Sequence, residues 1–212
     1  RGRYAYNHQP SIGLWNLTRL AESLLPLLAE NTEAAVDVAK AALGQFASLY
    51  EDYWLDGMRE KTGLTTRLDN DRELIEELLG IMAGNRADFT LTFYYLSRLS
   101  IDPTEQDADV QALFSEAEPF DQWLQQWRTR LRQENSVDNT RQAIMQAINP
   151  VYIPRNHQIE AAIRAAEDND DFSVFHDLHR LLQKPYMLQP GKDAYMLPPE
   201  PDEVVQQTFC GT

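Results

Sequence analysis

Residues 119–131, with the sequence PFDQWLQQWRTRL, contain the pattern that decides the fold class. Apolar side chains recur three and four positions apart along this stretch, at Phe120, Trp123, Leu124, Trp127 and Leu131. This spacing places them on one face of an α-helix, and a proline is tolerated at the start because the first turn needs no backbone donor. The stretch therefore predicts a helix with a buried aromatic face.

The same period continues through almost the whole chain, whereas the strand-like alternation of Val, Ile and Thr is nearly absent. We therefore predict an all-α protein with no internal repeat. The other helices are predicted over residues 12–28, 34–59, 71–82, 89–99, 110–114, 137–148, 156–167 and 172–182.

Several residues mark the expected helix ends. Ser11, Asn31 and Asp88 are predicted N-caps, because their side chains can accept a hydrogen bond from an unpaired amide of the first turn. Pro26 should end or kink the first helix. Gly44 lies inside the predicted helix 34–59, and we expect that helix to tolerate it.

The composition changes after residue 183, where the periodicity fades and five prolines follow, Pro185, Pro190, Pro198, Pro199 and Pro201. A proline-rich segment of this kind favours an extended conformation. We therefore predict one helical unit, residues 1–183, and an extended C-terminal tail, residues 184–212, that packs on it.

Composition and charge exclude several classes of protein. The 212 residues carry 33 acidic and 19 basic side chains, a net charge of -14, which argues against nucleic acid or an anionic membrane as the main partner. The single cysteine excludes a disulfide within the chain and a structural zinc site of the CxxC type. No apolar stretch approaches the roughly 20 residues of a membrane-spanning helix.

The first residues, Arg1-Gly2-Arg3-Tyr4, contain neither a starting Met nor an apolar signal core. They predict that no secretory signal is present. They also favour a chain that begins inside a longer one.

Two sets of residues could bind a metal. His176 and His179 lie three positions apart on one face of a predicted helix, which a metal-dependent hydrolase could use, but two ligands do not make a site. The acidic clusters Asp69-Asn70-Asp71 and 168–171 lack the continuation of a calcium loop. We expect exposed or hydrogen-bonded histidines, and helix caps or solvated turns at the acidic clusters.

Cysteine and the aromatic residues offer further candidates. Cys210 lies close to the chain end, where its thiol should be exposed and either inert or redox-active. Core packing is the expected role for most of the tryptophans Trp15, Trp54, Trp123 and Trp127. Arg128, Arg130 and Arg132 stand among acidic residues, so a nucleic-acid surface is not expected there.

Several strings of the sequence resemble a known family in their order along the chain. They are Gly2-Arg3-Tyr4-Ala5-Tyr6-Asn7 with Gln9-Pro10, Trp15-Asn16-Leu17 with Arg19-Leu20-Ala21-Glu22, Met58-Arg59 with Lys61-Thr62-Gly63-Leu64, Asp88-Phe89-Thr90 with Phe93 and Leu96, Trp123 with Trp127-Arg128 and Arg130-Leu131, Asn149-Pro150 with Tyr152 and Arg155-Asn156, Asp171-Phe172, and Pro185-Tyr186. Together they resemble the part of the selenoprotein O (YdiU) family that follows its metal-binding motif.

This resemblance implies a helical C-lobe portion of a protein-kinase-like fold. The family is implied to be a pseudokinase that transfers AMP from ATP to Ser, Thr or Tyr hydroxyls of protein substrates, with Mg or Mn. Its nucleotide-gripping and metal-binding residues would lie upstream of Arg1, in a missing N-terminal lobe. The resemblance thus implies no catalytic, cofactor-binding or metal-binding residue in this chain, which alone would be inactive and structural or substrate-docking.

The resemblance also bears on the chain end and on location. The family places a sulfur or selenium atom near its C-terminus, which makes Cys210 a possible redox residue, and members are expected in the bacterial cytoplasm or in mitochondria. The chain departs from the family at Arg155-Asn156-His157-Gln158, where R-N-Y-L is usual. It departs again at Pro198-Pro199-Glu200-Pro201, which lacks a tryptophan.

A second hypothesis belongs to another class of protein. The chain could be a stand-alone helical interaction module that works by binding, with its acidic surface and proline-rich arm serving a basic or groove-bearing partner.

Overall fold

The computed structural model describes residues 8–206, and all regular structure within them is helical, as predicted from the sequence. The helices are α1 (Gln9–Leu28), α2 (Thr32–Leu43), α3 (Phe46–Thr62), α4 (Asp71–Asn85), α5 (Phe89–Leu96), α6 (Asp107–Gln111), α7 (Ala117–Gln133), α8 (Asp138–Ile148), α9 (Asn156–Asn169), α10 (Ser173–Leu182) and a 3₁₀ helix (Asp193–Met196). Within the same residues, no helix is both long enough and apolar enough to span a bilayer.

Two of the three predicted N-caps are confirmed. The side chain of Asn31 accepts a hydrogen bond from the amide of Ala34, and that of Asp88 accepts one from Leu91, both at 2.8 Å. The prediction for Ser11 is wrong, because α1 begins earlier and the Ser11 hydroxyl instead donates to the carbonyl of His8. Pro10 occupies the first turn of α1, where its missing N–H costs nothing.

The predicted helix over residues 34–59 is interrupted, so the expectation that Gly44 would be tolerated inside it is wrong. α2 ends at Leu43, and α3 begins at Phe46. The amide of Gln45 donates to the carbonyl of Ala42, a tighter i to i−3 bond typical of a helix end. Glycine disfavours the helix interior because it loses the most backbone freedom on folding.

The chain forms two compact units, Arg1–Gly57 and Met58–Thr212, and the boundary between them falls within α3. In the first unit, α1 packs against α2. No residue of α1 is buried, and Leu17, Leu20, Leu24 and Leu27 form an exposed apolar stripe on it. Trp15 is 49% exposed, unlike a core residue.

The core of the second unit forms where α4 packs against α7. The rings of Phe114, Phe120, Trp123 and Trp127 stack in sequence, with successive centroids 4.2, 5.7 and 6.1 Å apart. Both indole N–H groups are used: Trp123 donates to the Leu74 carbonyl at 2.7 Å and Trp127 to the Thr62 carbonyl at 2.9 Å. The aromatic face predicted from residues 119–131 is therefore buried.

Residues 184–206 of the tail contain the 3₁₀ helix and otherwise turns and irregular backbone. The Pro185 carbonyl accepts hydrogen bonds from the amides of Val151 and Tyr152 at 2.8 and 3.1 Å. Met196 is buried in an apolar cluster that includes Tyr152, Leu178 and Leu181. These contacts fasten the described part of the tail to the segment after α8 and to α10.

Candidate functional site: buried polar contacts that join the motifs

The strongest electrostatic feature of the second unit is a buried carboxylate at the start of α4. Asp71 accepts hydrogen bonds from Arg130 Nε at 2.6 Å, Arg59 Nε at 2.7 Å and the Leu68 amide at 2.9 Å. Burial alone raises the pKa of the Asp71 carboxyl, but the bonds from Arg130, Leu68 and Arg59 outweigh it and the pKa lies below its ordinary value. Asp71 is therefore a fixed anion.

For Asp71, this arrangement corrects the prediction of a helix cap or a solvated turn at residues 69–71, whereas Asp69 and Asn70 are exposed. Asp71 is 0% exposed, and Arg130 is 2% exposed. Burying a charge is costly unless it is paired and hydrogen-bonded, and here two guanidinium groups from α3 and α7 supply the pairing. The carboxylate holds three helices together instead of facing water.

Glu134 extends the same network just beyond the end of α7. Its carboxylate accepts hydrogen bonds from Arg130 at 3.0 Å and from the amides of Thr65 and Thr66 at 3.2 and 3.1 Å. Burial raises the pKa of Glu134, yet the hydrogen bonds from Thr66, Thr65 and Arg130 bring it below its ordinary value. The loop that follows α3 is thereby attached to α7.

A second contact joins Lys61 of α3 to Asn149 after α8. Lys61 Nζ donates to the side-chain oxygen of Asn149, and the side-chain nitrogen of Asn149 donates to the backbone carbonyl of Lys61, both at 2.9 Å. Lys61 Nζ also lies 5.0 Å from the ring centre of Phe93. Burial lowers the pKa of the Lys61 ammonium. The charged head is thus held by an amide oxygen and an aromatic face.

A third contact joins the start of α5 to the segment before α9. The Arg155 guanidinium donates to both carboxylate oxygens of Asp88 at 2.7 and 3.0 Å, and to the Met196 carbonyl at 2.6 Å. Burial raises the pKa of Asp88, but the bonds from Arg155 and Leu91 keep it below its ordinary value. Asp88 therefore caps α5 and binds Arg155 at once, and Arg155 reaches the tail.

The other arginines on α7 are also paired. Arg128 makes two bonds of 2.8 Å to Asp107, and Arg132 lies 3.0 Å from Asp102. Arg128 is buried with its partner, whereas the Arg132 pair is exposed. Each of these two arginines is therefore paired with an aspartate of this chain.

The remaining candidates are not brought together. His176 and His179 are exposed on α10, and the rings of both contact that of Phe175. Residues 168–171 are exposed at the end of α9 and just beyond it, and Asp171 accepts a hydrogen bond from the Ser173 amide, as expected for a solvated cap. Within residues 8–206, no three His, Cys, Asp or Glu side chains form a potential metal site. Cys210 lies outside the described residues.

Sequence reasoning missed the buried role of these polar residues. The sequence marks Arg59, Lys61, Asn149 and Arg155 only as members of the family motifs, and Asp88 also as an N-cap. The structure shows that these residues bind one another or Asp71. The partners lie 12 to 88 positions apart along the chain. A possible signal was the occurrence of Arg128 and Arg130 beside two buried tryptophans, because charged side chains on a buried face need partners.

The described residues thus form an all-helical part of a protein, in which the motif residues attach helices to one another. Residues 1–183 match the SelO family model, described as protein adenylyltransferase SelO. The chain therefore belongs to the SelO/YdiU family.

Two curated relatives of this chain are both named protein nucleotidyltransferase YdiU. The protein from Rhodopseudomonas palustris (strain BisB18) is 52% identical over 211 residues, and that from Rhizobium meliloti (strain 1021) is 47% identical over 211 residues. Each alignment covers 100% of this chain and 43% of the relative. The chain thus spans less than half the length of these relatives.

Proposed function

We propose that this chain is the C-terminal helical part of a pseudokinase that transfers AMP from ATP to Ser, Thr or Tyr hydroxyls of proteins. The chain supports the active cleft and supplies no catalytic residue. The nucleotide, with Mg or Mn, is bound by an upstream lobe with a protein-kinase-like fold. Family membership supports the reaction class. The internal contacts of the motif residues support a structural role for this chain and nucleotide binding by the upstream lobe.

The observation that carries this proposal is that the basic residues of the family motifs bind groups of this chain. Each binds a group of this chain: Arg59 and Arg130 bind Asp71, Arg128 binds Asp107, Arg155 binds Asp88, and Lys61 binds Asn149. Phosphoryl and nucleotidyl sites need cations directed at the ligand. The internal partners of these five residues support the proposal that ATP and its metal are bound upstream of this chain.

The exposed stripe on α1 supports a role within a larger protein. Leu17, Leu20, Leu24 and Leu27 are 37–81% exposed, and they recur three and four residues apart on one helix face. Contiguous exposed apolar surface of this kind marks an interaction site. A protein more than twice as long, as the relatives are, has the further chain needed to cover it.

The test is nucleotide transfer by a full-length family protein that contains this chain and by the 212 residues alone. Both are incubated with ATP labelled on the α-phosphate, or on the γ-phosphate, in the presence of Mg or Mn. We expect the full-length protein to label itself or another protein from the α-label only, and the 212 residues to label nothing. Transfer of the γ-label would show that the reaction is phosphorylation and not adenylylation. Labelling by the 212 residues alone would place the active site in this chain.

A further inference from the structure

The α9–α10 pair forms an apolar groove that none of the motif contacts described above uses. The two helices pack against each other, and the groove between them has a volume of about 470 Å³. Its floor is formed by Ala162 and Leu178, each 6% exposed. Two aromatic rings stand at its edge, since Phe172 is 52% and Phe175 is 50% exposed, and both line the groove.

The opposite wall of the groove is also apolar and open. Ile159 and Ile163 of α9 are 37% and 42% exposed and lie one helical turn apart. Solvent-exposed isoleucine and phenylalanine around a single concave surface are uncommon on a protein that binds nothing there, and large apolar patches mark interaction sites. The groove has the form of the space that a third helix would fill between two others.

The charge at one end of the groove is fixed by the α9–α10 turn. Asp170 and Asp171 donate their amides to the carbonyls of Ala166 and Ala165 at 3.1 and 3.0 Å, which holds the turn against the end of α9. Ala166 and Phe172 line the groove at this end. Four exposed carboxylates lie beside this end within five residues, those of Glu167, Asp168, Asp170 and Asp171, and one cation, Arg164, pairs with Glu167 at 3.6 Å. An occupant that lies along the groove therefore meets net negative charge at this end.

We propose that the α9–α10 groove binds an amphipathic helical segment of another protein, with apolar anchors on one face and Lys or Arg flanking them. Apolar anchors spaced by three and four residues fit between two helices, which is the usual way in which a groove binds a helix. The basic flank matches the carboxylates of residues 167–171, and a cation there can also contact the exposed face of Phe172. This inference goes beyond the proposed function and concerns binding alone, so it does not depend on catalysis.

The test uses a full-length family protein that contains this chain, so that a groove already covered by the rest of that protein binds no peptide, and three synthetic peptides of about 18 residues, long enough for five helical turns. One carries leucines at helical spacing with lysines elsewhere. The second has glutamates in place of the lysines, and the third has serines in place of the leucines. Binding of each fluorescein-labelled peptide is measured by anisotropy at low and at physiological salt. We expect saturable binding of the leucine–lysine peptide only, weakened by salt.

Two variants and one control test whether the peptide binds in the groove. Phe175→Ser removes an exposed anchor contact without opening the core, and we expect affinity for the leucine–lysine peptide to fall about tenfold. Asp168→Lys reverses one of the charges at the end of α9 and should weaken the same binding several-fold. Val137→Ser, at a residue that is 63% exposed and does not line the groove, should leave it unchanged.

Four results would overturn the proposal. They are the absence of saturable binding, equal binding of the lysine and glutamate peptides, an affinity unchanged by Phe175→Ser, and self-association of the chain that Phe175→Ser abolishes. The last would assign the groove to a second copy of the chain, and sedimentation equilibrium measures it. Circular dichroism of each variant establishes that a loss of binding is not a loss of fold.

Discussion

Arg130 Nε and Asp71 Oδ1 lie 2.6 Å apart although the two residues are 59 positions apart in the sequence. The pair joins the start of α4 to α7, and Arg59 completes it from α3. The first residue of a helix commonly carries a solvated acid, because a carboxylate there interacts favourably with the helix dipole. Asp71 has that favourable position and is buried as well, so its negative charge also fixes the arrangement of three helices.

Replacing Asp71 by Asn should be among the most destabilising single changes in the second unit. The substitution keeps the shape but breaks the buried pair with Arg130 and leaves Glu134 as the remaining carboxylate partner of that guanidinium. Breaking a buried pair costs about 3–5 kcal/mol. Urea unfolding followed by circular dichroism measures the loss. Glu76→Gln, in the more exposed pair with Arg72, is the matched control and should change the free energy of unfolding by less than about 0.5 kcal/mol. Equal effects of the two changes would contradict the structural role of Asp71.

Acid should destabilise the protein through Asp71, Asp88 and Glu134. Their pKa values lie below the ordinary 3.8 for aspartate and 4.5 for glutamate. As the pH falls, these carboxylates therefore take up protons in the unfolded chain at a higher pH than in the folded protein. The stability that they contribute is fully present above the ordinary values. We expect the free energy of unfolding to fall as the pH decreases below about 4.5.

The same series of urea titrations, at pH values from 7 to 3, measures this dependence. Glu134→Gln removes one of the three titrating groups, so its free energy of unfolding should be lower at neutral pH and should fall less steeply in acid. A free energy of unfolding that increases between pH 5 and pH 3 would rule out these carboxylates as stabilising anions.

Gly63 should not tolerate alanine. Its φ is +73°, a backbone conformation that L side chains rarely adopt, and an added Cβ would lie 2.5 Å from Met145 Sδ and 2.7 Å from Arg141 Cγ. Left-handed strain and overpacking together should cost about 2–4 kcal/mol. Gly80, inside α4, has no atom within 4 Å of an added Cβ, so Gly80→Ala should instead stabilise by about 0.5–1 kcal/mol. Thermal unfolding distinguishes the two signs, and a stabilising Gly63→Ala would contradict the close approach of α8.

Arg155→Lys should loosen the tail more than it loosens the core. A lysine cannot make the two-pronged contact with Asp88 while also donating to the Met196 carbonyl. We expect faster tryptic cleavage after Lys192, detected by mass spectrometry of short digests, because local opening exposes the tail. Arg164→Lys, in an exposed pair on α9, is the control and should leave that rate unchanged. An equal rate in both variants would show that Arg155 does not hold the tail.

The regular elements could be predicted where the decisive interaction is local. Asp88 and Asn31 cap their helices through amides three residues ahead, and a sequence displays both partners of such a bond. The break at Gly44 could not be assigned in the same way. A single glycine costs only about 1 kcal/mol inside a helix, and the packing of neighbouring residues decides whether the helix continues.

The polar contacts could not be predicted from residue types and spacing alone. Lys61 and Asn149 lie 88 positions apart, and nothing near either residue in the sequence indicates that they meet. The resemblance identified Lys61 and Asn149 as members of family motifs but did not indicate what they bind. Their contacts follow from the packing of α3, α5 and α8, which only the folded structure provides.

The stacked indoles of Trp123 and Trp127 give the protein an internal optical reporter. Their rings are 6.1 Å apart and inclined by only 15°, and both are fully buried. Coupled transitions of two such rings produce near-ultraviolet dichroism that vanishes when α7 leaves the core. Trp15 of the first unit is half-exposed, and we expect it to emit at a longer wavelength than the two buried indoles. The two units of this chain can therefore be followed separately during unfolding, from intrinsic signals and without any attached dye.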